Sequence, residues 1–361
     1  MEKIRKYAIP YNGSNPEWFL NQMDKRKKYI DHVFCELPFD DFLSQLRFLY
    51  GNDNGQKMND NSTLLNRSLY MKNCSDFLQL TLGKYKRICP INAAYYNFKD
   101  LSDFNFFVKK VCNTLVYYSV EGVILSDYRL ALVLRQLLPN LEIQTSCNGY
   151  QWDLTQMAIW RDNIGVKLFN PPREILRLPS KLKEMHNAGF RLKCIVNEGC
   201  LIGCPNSLNH QMCVALRCYN GSYCVQRGVA DIFRSNWILP RWQKYYDEYV
   251  DVYKISGRAE PVEYIFYALD AYINEVNTIP LSNLMINGVM KVMRAYCSLA
   301  SLNAITLDKI PDKLAFCECH DCKNCKLCKN VLSSILSKQE CSLFDFLQYN
   351  VNKEYKRFIF D

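Results

Sequence analysis

Short apolar runs alternate with stretches of helical spacing along most of the chain, a pattern that predicts repeated βα units around a parallel sheet. Strands are predicted at 6–11, 32–38, 87–92, 121–127, 141–146 and 164–170, within the run LKCIV at 192–196, and again at 237–240 and 250–258. Helical spacing is read at 17–30, 75–82, 128–137, 152–161, 180–188 and 261–276. Pro16 sits near a first helical turn, and the Asn-, Asp- and Gly-rich stretch 52–66 reads as a surface insertion. Beyond the last strand the pattern is helical only. The expected architecture is an α/β, TIM-like (β/α) barrel over 1–275 and a mainly helical C-terminal extension over 276–361.

A barrel carries its chemistry at the C-terminal ends of its strands. Asp127, Ser146, Asn148 and Asn170 stand at such ends and are candidate pocket residues, Asp127, Asn148 and Asn170 for substrate binding. The competing reading is that they cap the helices that follow.

Thiols change the picture most. The Cys-rich loop 194–224 begins in a strand and ends it at Asn197-Glu198-Gly199. Cys200, Cys204, His210, Cys213, Cys218 and Cys224 follow, with Pro205 directly after Cys204. A strand that ends in a Gly turn and delivers paired thiols predicts a metal-ligand loop. Cys200 and Cys204 are the firmest pair; Cys213, Cys218 and Cys224 compete to complete the set, with Cys213 and Cys224 taken. Cys194 reads as a buried small hydrophobe. Asn197, Glu198 and His210 are candidate catalytic residues, although a lone His is more often structural. The spacing C-x3-C-x8-C is not the C-x3-C-x2-C of radical SAM enzymes.

A second thiol cluster spans 317–328. Cys319, Cys322, Cys325 and Cys328 are each separated by two residues, and Cys317 adds a fifth thiol. The spacing fits a 4Fe-4S cluster, so the chain is expected to hold one or two such clusters; zinc is the alternative here, with His320 able to replace one thiolate. A Cys–His protease dyad needs a single activated thiolate, and crowded thiols suit metal better. No G-x-S-x-G, P-loop or Rossmann glycine pattern occurs.

Of the 361 residues 49% are hydrophobic and 22% charged, which is ordinary for a globular protein, and the net charge of +9 accommodates an anionic partner such as RNA or a phosphorylated substrate. No apolar window is long enough to span a bilayer and the N-terminal residues lack a signal-peptide core, so a cytoplasmic protein without a membrane partner is expected. In a reducing compartment its 18 cysteines point to metal rather than disulfides.

The segment Val252-Tyr253-Lys254-Ile255-Ser256-Gly257-Arg258, followed by Pro261 and a helix bearing Tyr264 and Tyr272, resembles the K-I-E-G-R segment of the collagenase-like peptidase family, peptidase family U32. The order of strands before it is similar, and the likeness covers roughly residues 80–275. Ser256 stands where the family has Glu, and the cysteine spacing departs from better-known members. The resemblance implies a barrel with an iron–sulfur cluster on Cys200, Cys204 and later cysteines, and Lys254 and Arg258 facing the pocket. It implies oxygen-independent hydroxylation or another redox modification of an anionic substrate, either RNA or a small molecule. An electron-donor protein and a homo- or hetero-dimer are the expected partners. The alternatives are a peptidase-like hydrolase and a zinc-stabilised binding module.

Overall fold

The computed structural model describes residues 4–38, 61–96, 98–216, 229–296, 298–318, 321 and 324–336. Seven short strands form its centre: β1 (Tyr7–Pro10), β2 (Ile30–Phe34), β3 (Arg87–Ile91), β4 (Gly122–Leu125), β5 (Glu142–Thr145), β6 (Lys193–Ile195) and β7 (Val252–Lys254). All neighbours pair in parallel, in the order β5-β4-β3-β2-β1-β7-β6. The remaining gap is bridged by Leu168 and Phe169, which pair in parallel with Gln144 and Leu192. Phe169 N donates to Arg191 O at 2.9 Å, and Lys193 N donates to Phe169 O at 2.7 Å. The expected strand at 164–170 is thus reduced to single bridges, yet it closes the ring as an eighth stave. The expected α/β TIM-like barrel is observed.

Strand alternation sorts the side chains into an inner and an outer set. The outer set packs under the helices as the main core. A separate cluster of Ala8, Phe34, Ile88, Ile124, Leu168 and Val252, one from each of six staves, fills the barrel. On β2, His32 precedes Phe34 by two residues and lies one layer toward the N-terminal end; on β7, Lys254 follows Val252 by two and lies one layer toward the C-terminal end. An apolar plug therefore separates two buried polar layers.

The helices α1 (Pro16–Asp24), α2 (Asn61–Leu80), α3 (Leu101–Tyr117), α4 (Tyr128–Leu137), α5 (Leu154–Ile164), α6 (Pro179–Asn187) and α7 (Ser207–Leu216) connect the staves, and α8 (Val262–Ile273) follows β7. Their starts are written locally: Asn15, Asp100, Asp127 and Asp153 each accept a backbone N–H in the first turn of the helix that follows. α2 begins at Asn61, inside the stretch expected to be a surface insertion. The segment expected as a strand at 237–240 is not one; Ile238 donates once, to Val196 O at 2.8 Å, before a 3-10 turn at Pro240–Tyr245. Beyond α8 the chain is helical, through α9 (Leu281–Leu284), α10 (Gly288–Tyr296), α11 (Leu299–Ala304) and α12 (Leu327–Ile335). Among the described residues no helix is long and apolar enough to cross a membrane.

Candidate active site

The C-terminal end of β6 runs into Val196, Asn197 and Glu198, and each side chain of that turn has a distinct task. Asn197 is fully buried and clamps β6 to β7. Its Nδ2 donates to Ser256 O at 2.9 Å and to the Tyr264 hydroxyl at 2.8 Å, while its Oδ1 accepts from Ser256 N at 2.8 Å. The clamp fixes Ser256, whose Oγ donates to Glu198 Oε1 at 2.7 Å. The other carboxylate oxygen of Glu198 accepts from Arg173 Nε at 2.5 Å. Arg173 follows Pro171 and Pro172, which hold the exit of the eighth stave extended. Its Nη1 donates to Asn148 Oδ1 at 2.7 Å, and Asn148 Nδ2 in turn donates to Asn92 O at 2.9 Å. Residues from the ends of β3, β5, the eighth stave, β6 and β7 thus form one hydrogen-bonded chain across the barrel mouth.

Lys254 lies within electrostatic reach of this chain, 8% exposed, with Nζ 4.6 Å from the centre of the Phe34 ring. Burial lowers its pKa; Cys147 and Glu198 act upward, and Arg258 and Arg173 downward. Burial also works against ionisation of Glu198, but Arg173, Ser256 and Lys254 prevail and hold its carboxyl below the usual range. Arg173 is raised well above the ordinary guanidinium value: burial opposes this, while Cys147, Glu198 and Cys200 drive it. The mouth therefore contains the cations Arg173 and Lys254, with Arg258 within electrostatic reach, around the fixed carboxylate of Glu198, and Glu174 lies within reach of Arg173 and Glu198.

The other expected site residues fall in three groups. His210, on α7, is half-buried, and its pKa is lowered by burial and then by Arg173 and Lys291, which places it on the same side of the barrel. Asp127 accepts from Arg129 N and Leu130 N as the cap of α4. Asn170 is buried and tied to Thr145, donating through Nδ2 to its carbonyl, while its own Oδ1 has no partner. Of the expected metal ligands, Cys200 and Cys204 are half-buried on the loop after β6, Cys325 is exposed and Cys328 half-buried. The side chain of Cys213 and the whole of Cys218, Cys224, Cys319, His320 and Cys322 lie outside the described residues. Among the described residues no three His, Cys, Asp or Glu side chains gather to hold a metal ion. Cys200 and Cys204 are the described thiols of this loop that would hold an iron–sulfur cluster. Cys194 is buried, as its place within a strand predicts.

Arg173, Ser256 and Cys147 were not among the expected site residues. Arg173 stands three residues beyond Asn170 and so was signalled by the same strand-end logic. Cys147, buried at the end of β5 within electrostatic reach of Arg173 and Lys254, carries no spacing signal of its own.

No family model matches the chain. An uncharacterized protease of Methanocaldococcus jannaschii is 28% identical over 183 residues, covering 47% of this chain and 54% of the relative. The match thus spans about half the length of that curated relative. Among solved structures, a U32 peptidase aligns over 72% of this chain and 97% of its own at 9% identity and a TM-score of 0.48. A fungal endo-β-N-acetylglucosaminidase of glycosyl hydrolase family 18 aligns over 73% of this chain at 13% identity and a TM-score of 0.37. The resemblance to the U32 peptidase family stands.

Proposed function

We propose that this chain is a peptidase-like barrel hydrolase that binds a substrate at the mouth formed by Arg173, Glu198, Lys254 and Arg258. The observation that carries this reading is the charge of the mouth: part-buried Arg173 and buried Lys254 flank the Glu198 carboxylate, whose two oxygens are already committed to Arg173 and Ser256. Surplus positive charge in a site screened from water is complementary to a substrate carboxylate, or to the oxyanion that develops when water attacks an amide carbonyl. The protease relative supports the choice of an amide.

In this mechanism Glu198 is a fixed anion. Its lowered pKa and two committed oxygens make it a holder of Arg173 and Ser256, and a poor proton acceptor. Lys254, the cation whose pKa burial lowers, is the group suited to give a proton to the leaving amine nitrogen as the C–N bond breaks. Arg173, anchored on Glu198 and Asn148, orients the carbonyl or carboxylate. The test is cleavage of a mixed peptide pool by the purified full chain, followed by mass spectrometry. Lys254→Met and Arg173→Lys should each lower kcat/KM by about 10²-fold or more. Cleavage that survives Lys254→Met at the wild-type rate refutes this mechanism.

A second reading, redox modification or hydroxylation of an anionic substrate, is favoured by the Cys147 and Cys200 thiols beside Arg173. An iron–sulfur cluster would supply electron transfer or a Lewis-acidic iron. Cys200 and Cys204 are the described residues that would hold it. Iron that co-purifies anaerobically and is lost in Cys200→Ser, without peptide cleavage, selects this reading over hydrolysis.

A further inference from the structure

A cavity of about 620 Å³ opens between α8 and the helical extension, within the range of about 300–1,000 Å³ usual for small-molecule sites. Its apolar face is supplied by Tyr267 and Leu299, 40% and 69% exposed, and by the buried Leu302. Its cation is Arg294, in the last turn of α10. Arg294 Nη2 donates to Ser282 O at 2.5 Å and to Met285 O at 3.1 Å, which holds the guanidinium against α9. Arg294 Nη1 stands 3.9 Å from Glu260 Oε1, an ion pair too long for a hydrogen bond, so this edge of the guanidinium keeps donors for a ligand oxygen. Glu263, in the first turn of α8, lines the same cavity, is exposed and makes no ion pair among the described residues.

Ser282 is the second, independent sign of a ligand. It lines the cavity and is 5% exposed, yet its hydroxyl has no hydrogen-bond partner among the described residues. A buried hydroxyl left unpaired is costly, so the group marks a place where a bound molecule completes the bond. Tyr264 ties the cavity to the barrel. It lines the cavity, while its hydroxyl accepts from Asn197 Nδ2 at 2.8 Å and donates to Leu284 O at 2.5 Å. The side chain that steadies the β6–β7 clamp is therefore also a wall of the cavity.

A cation, an exposed carboxylate and an apolar face in one cavity are complementary to a small zwitterion with an apolar body. A ligand bearing only a carboxylate would also meet Glu260 and Glu263, so an ammonium group is needed to balance the set. We propose that this cavity binds an amino acid or short peptide with apolar side chains. Arg294 and the Ser282 hydroxyl take its carboxylate, Glu263 takes its ammonium group, and Tyr267, Leu299 and Leu302 cover its side chain. None of these residues belongs to the mouth, and the site is independent of the peptidase-like reading.

The experiment is isothermal titration of the full chain with L-leucine, L-leucyl-L-leucine and N-acetyl-L-leucinamide, which is uncharged at both ends. One of the two zwitterions should bind at a single saturable site, and the tighter of them tells an amino acid from a peptide. N-acetyl-L-leucinamide should bind at least about 10-fold more weakly, because it lacks both charge-assisted contacts. Ser282→Ala should weaken the zwitterion by about 2–10-fold, the worth of one hydrogen bond, without lowering Tm, since the hydroxyl has no partner in the fold. Tyr267→Ala, at an exposed position, should weaken it by about 10-fold. Arg294→Met should abolish binding; if that chain does not fold, Ser282→Ala and Tyr267→Ala decide the matter. No saturable binding of either zwitterion at millimolar concentration, or equal affinity for N-acetyl-L-leucinamide, would overturn the assignment. So would binding that is lost in Lys254→Met but kept in Ser282→Ala and Tyr267→Ala, because it places the ligand at the mouth.

Discussion

Replacing Arg173 with Met tests the ion pair on which the barrel mouth is built. The two side chains are 15% and 10% exposed and meet at 2.5 Å, so this is a buried pair and not a surface one. Deleting one partner of such a pair costs about 3–5 kcal/mol, because the remaining charge is stranded out of water. Here Glu198 keeps Ser256 as a donor and Lys254 as a neighbouring cation. The lower end, about 3 kcal/mol, is therefore the expected loss at neutral pH. The pH dependence gives a sharper check. Arg173 helps hold the Glu198 pKa below its unfolded value, so the pair's contribution is complete above about pH 4.3 and fades as pH falls through the lowered folded value. Without Arg173, burial acts with less opposition and Glu198 takes up a proton in the folded state at higher pH. The penalty should thus be largest near pH 7 and shrink on acidification. Urea unfolding followed by tryptophan fluorescence at pH 7 and pH 5, on Arg173→Met, Glu198→Gln and the double variant, measures both. A coupling energy below about 0.5 kcal/mol, or a penalty independent of pH, would refute the reasoning.

Three further outcomes follow from geometry elsewhere. Gly288 has φ +50°, and a Cβ there would lie 2.2 Å from Gly199 O and 2.8 Å from Cys200 N, so Gly288→Ala should destabilise the fold by at least about 2 kcal/mol and displace the Cys200 loop, read as a lower Tm and faster alkylation of Cys200. His32 is held neutral, with a pKa lowered to about 4 by burial and by Lys193, so acidification from pH 6.5 to about 4 should cost on the order of 3 kcal/mol that a His32→Gln chain does not lose. Lys193, whose pKa burial drives well below the ordinary value, contributes in the same sense: wild-type stability should keep rising with pH above neutrality, and Lys193→Met should flatten that rise in denaturant titrations between pH 7 and 9.

The barrel was legible because its signals are local. Each stave is a short apolar run bounded by polar strand ends, and several helix starts carry their own Asn or Asp cap. What failed to read was non-local. Trp237, Ile238 and Leu239 look like a strand because they are fully buried, but burial beneath helices selects the same residues as burial in a sheet. The helix α3 passed unread although Phe107, Val108, Val111 and Leu115 mark its buried face, since the flanking Phe104 and Phe106 blur the stripe. At the site, strand-end position pointed equally to Asp127, a helix cap, and to Asn148, a member of the hydrogen-bonded chain through Arg173. Only the partner across the barrel separates the two. Cys147 shows the same limit, since its electrostatic neighbours come from the eighth stave and from β7.

Two buried lysines show why position in the barrel, more than burial, decides which polar group is available for chemistry. Lys193, on the N-terminal side of the apolar plug, is enclosed: Nζ meets His32 Nε2 at 3.1 Å and Gln144 Oε1, Gln144 Nε2 reaches Glu142 at 2.7 Å, and Glu142 pairs with Lys86 at 2.6 Å. Each member has its partner within the layer, so the network is consumed in filling the barrel. Lys254, across the plug, rests on Phe34 and lies within reach of a hydrogen-bonded chain in which Arg173 and Ser256 have already taken both oxygens of Glu198. In the proposed site its charge is only partly balanced, and a substrate carboxylate or oxyanion would supply the missing anion. The same residue type and nearly the same burial thus yield a structural amine on one side of six apolar side chains and, on the other, the amine assigned to the proposed site.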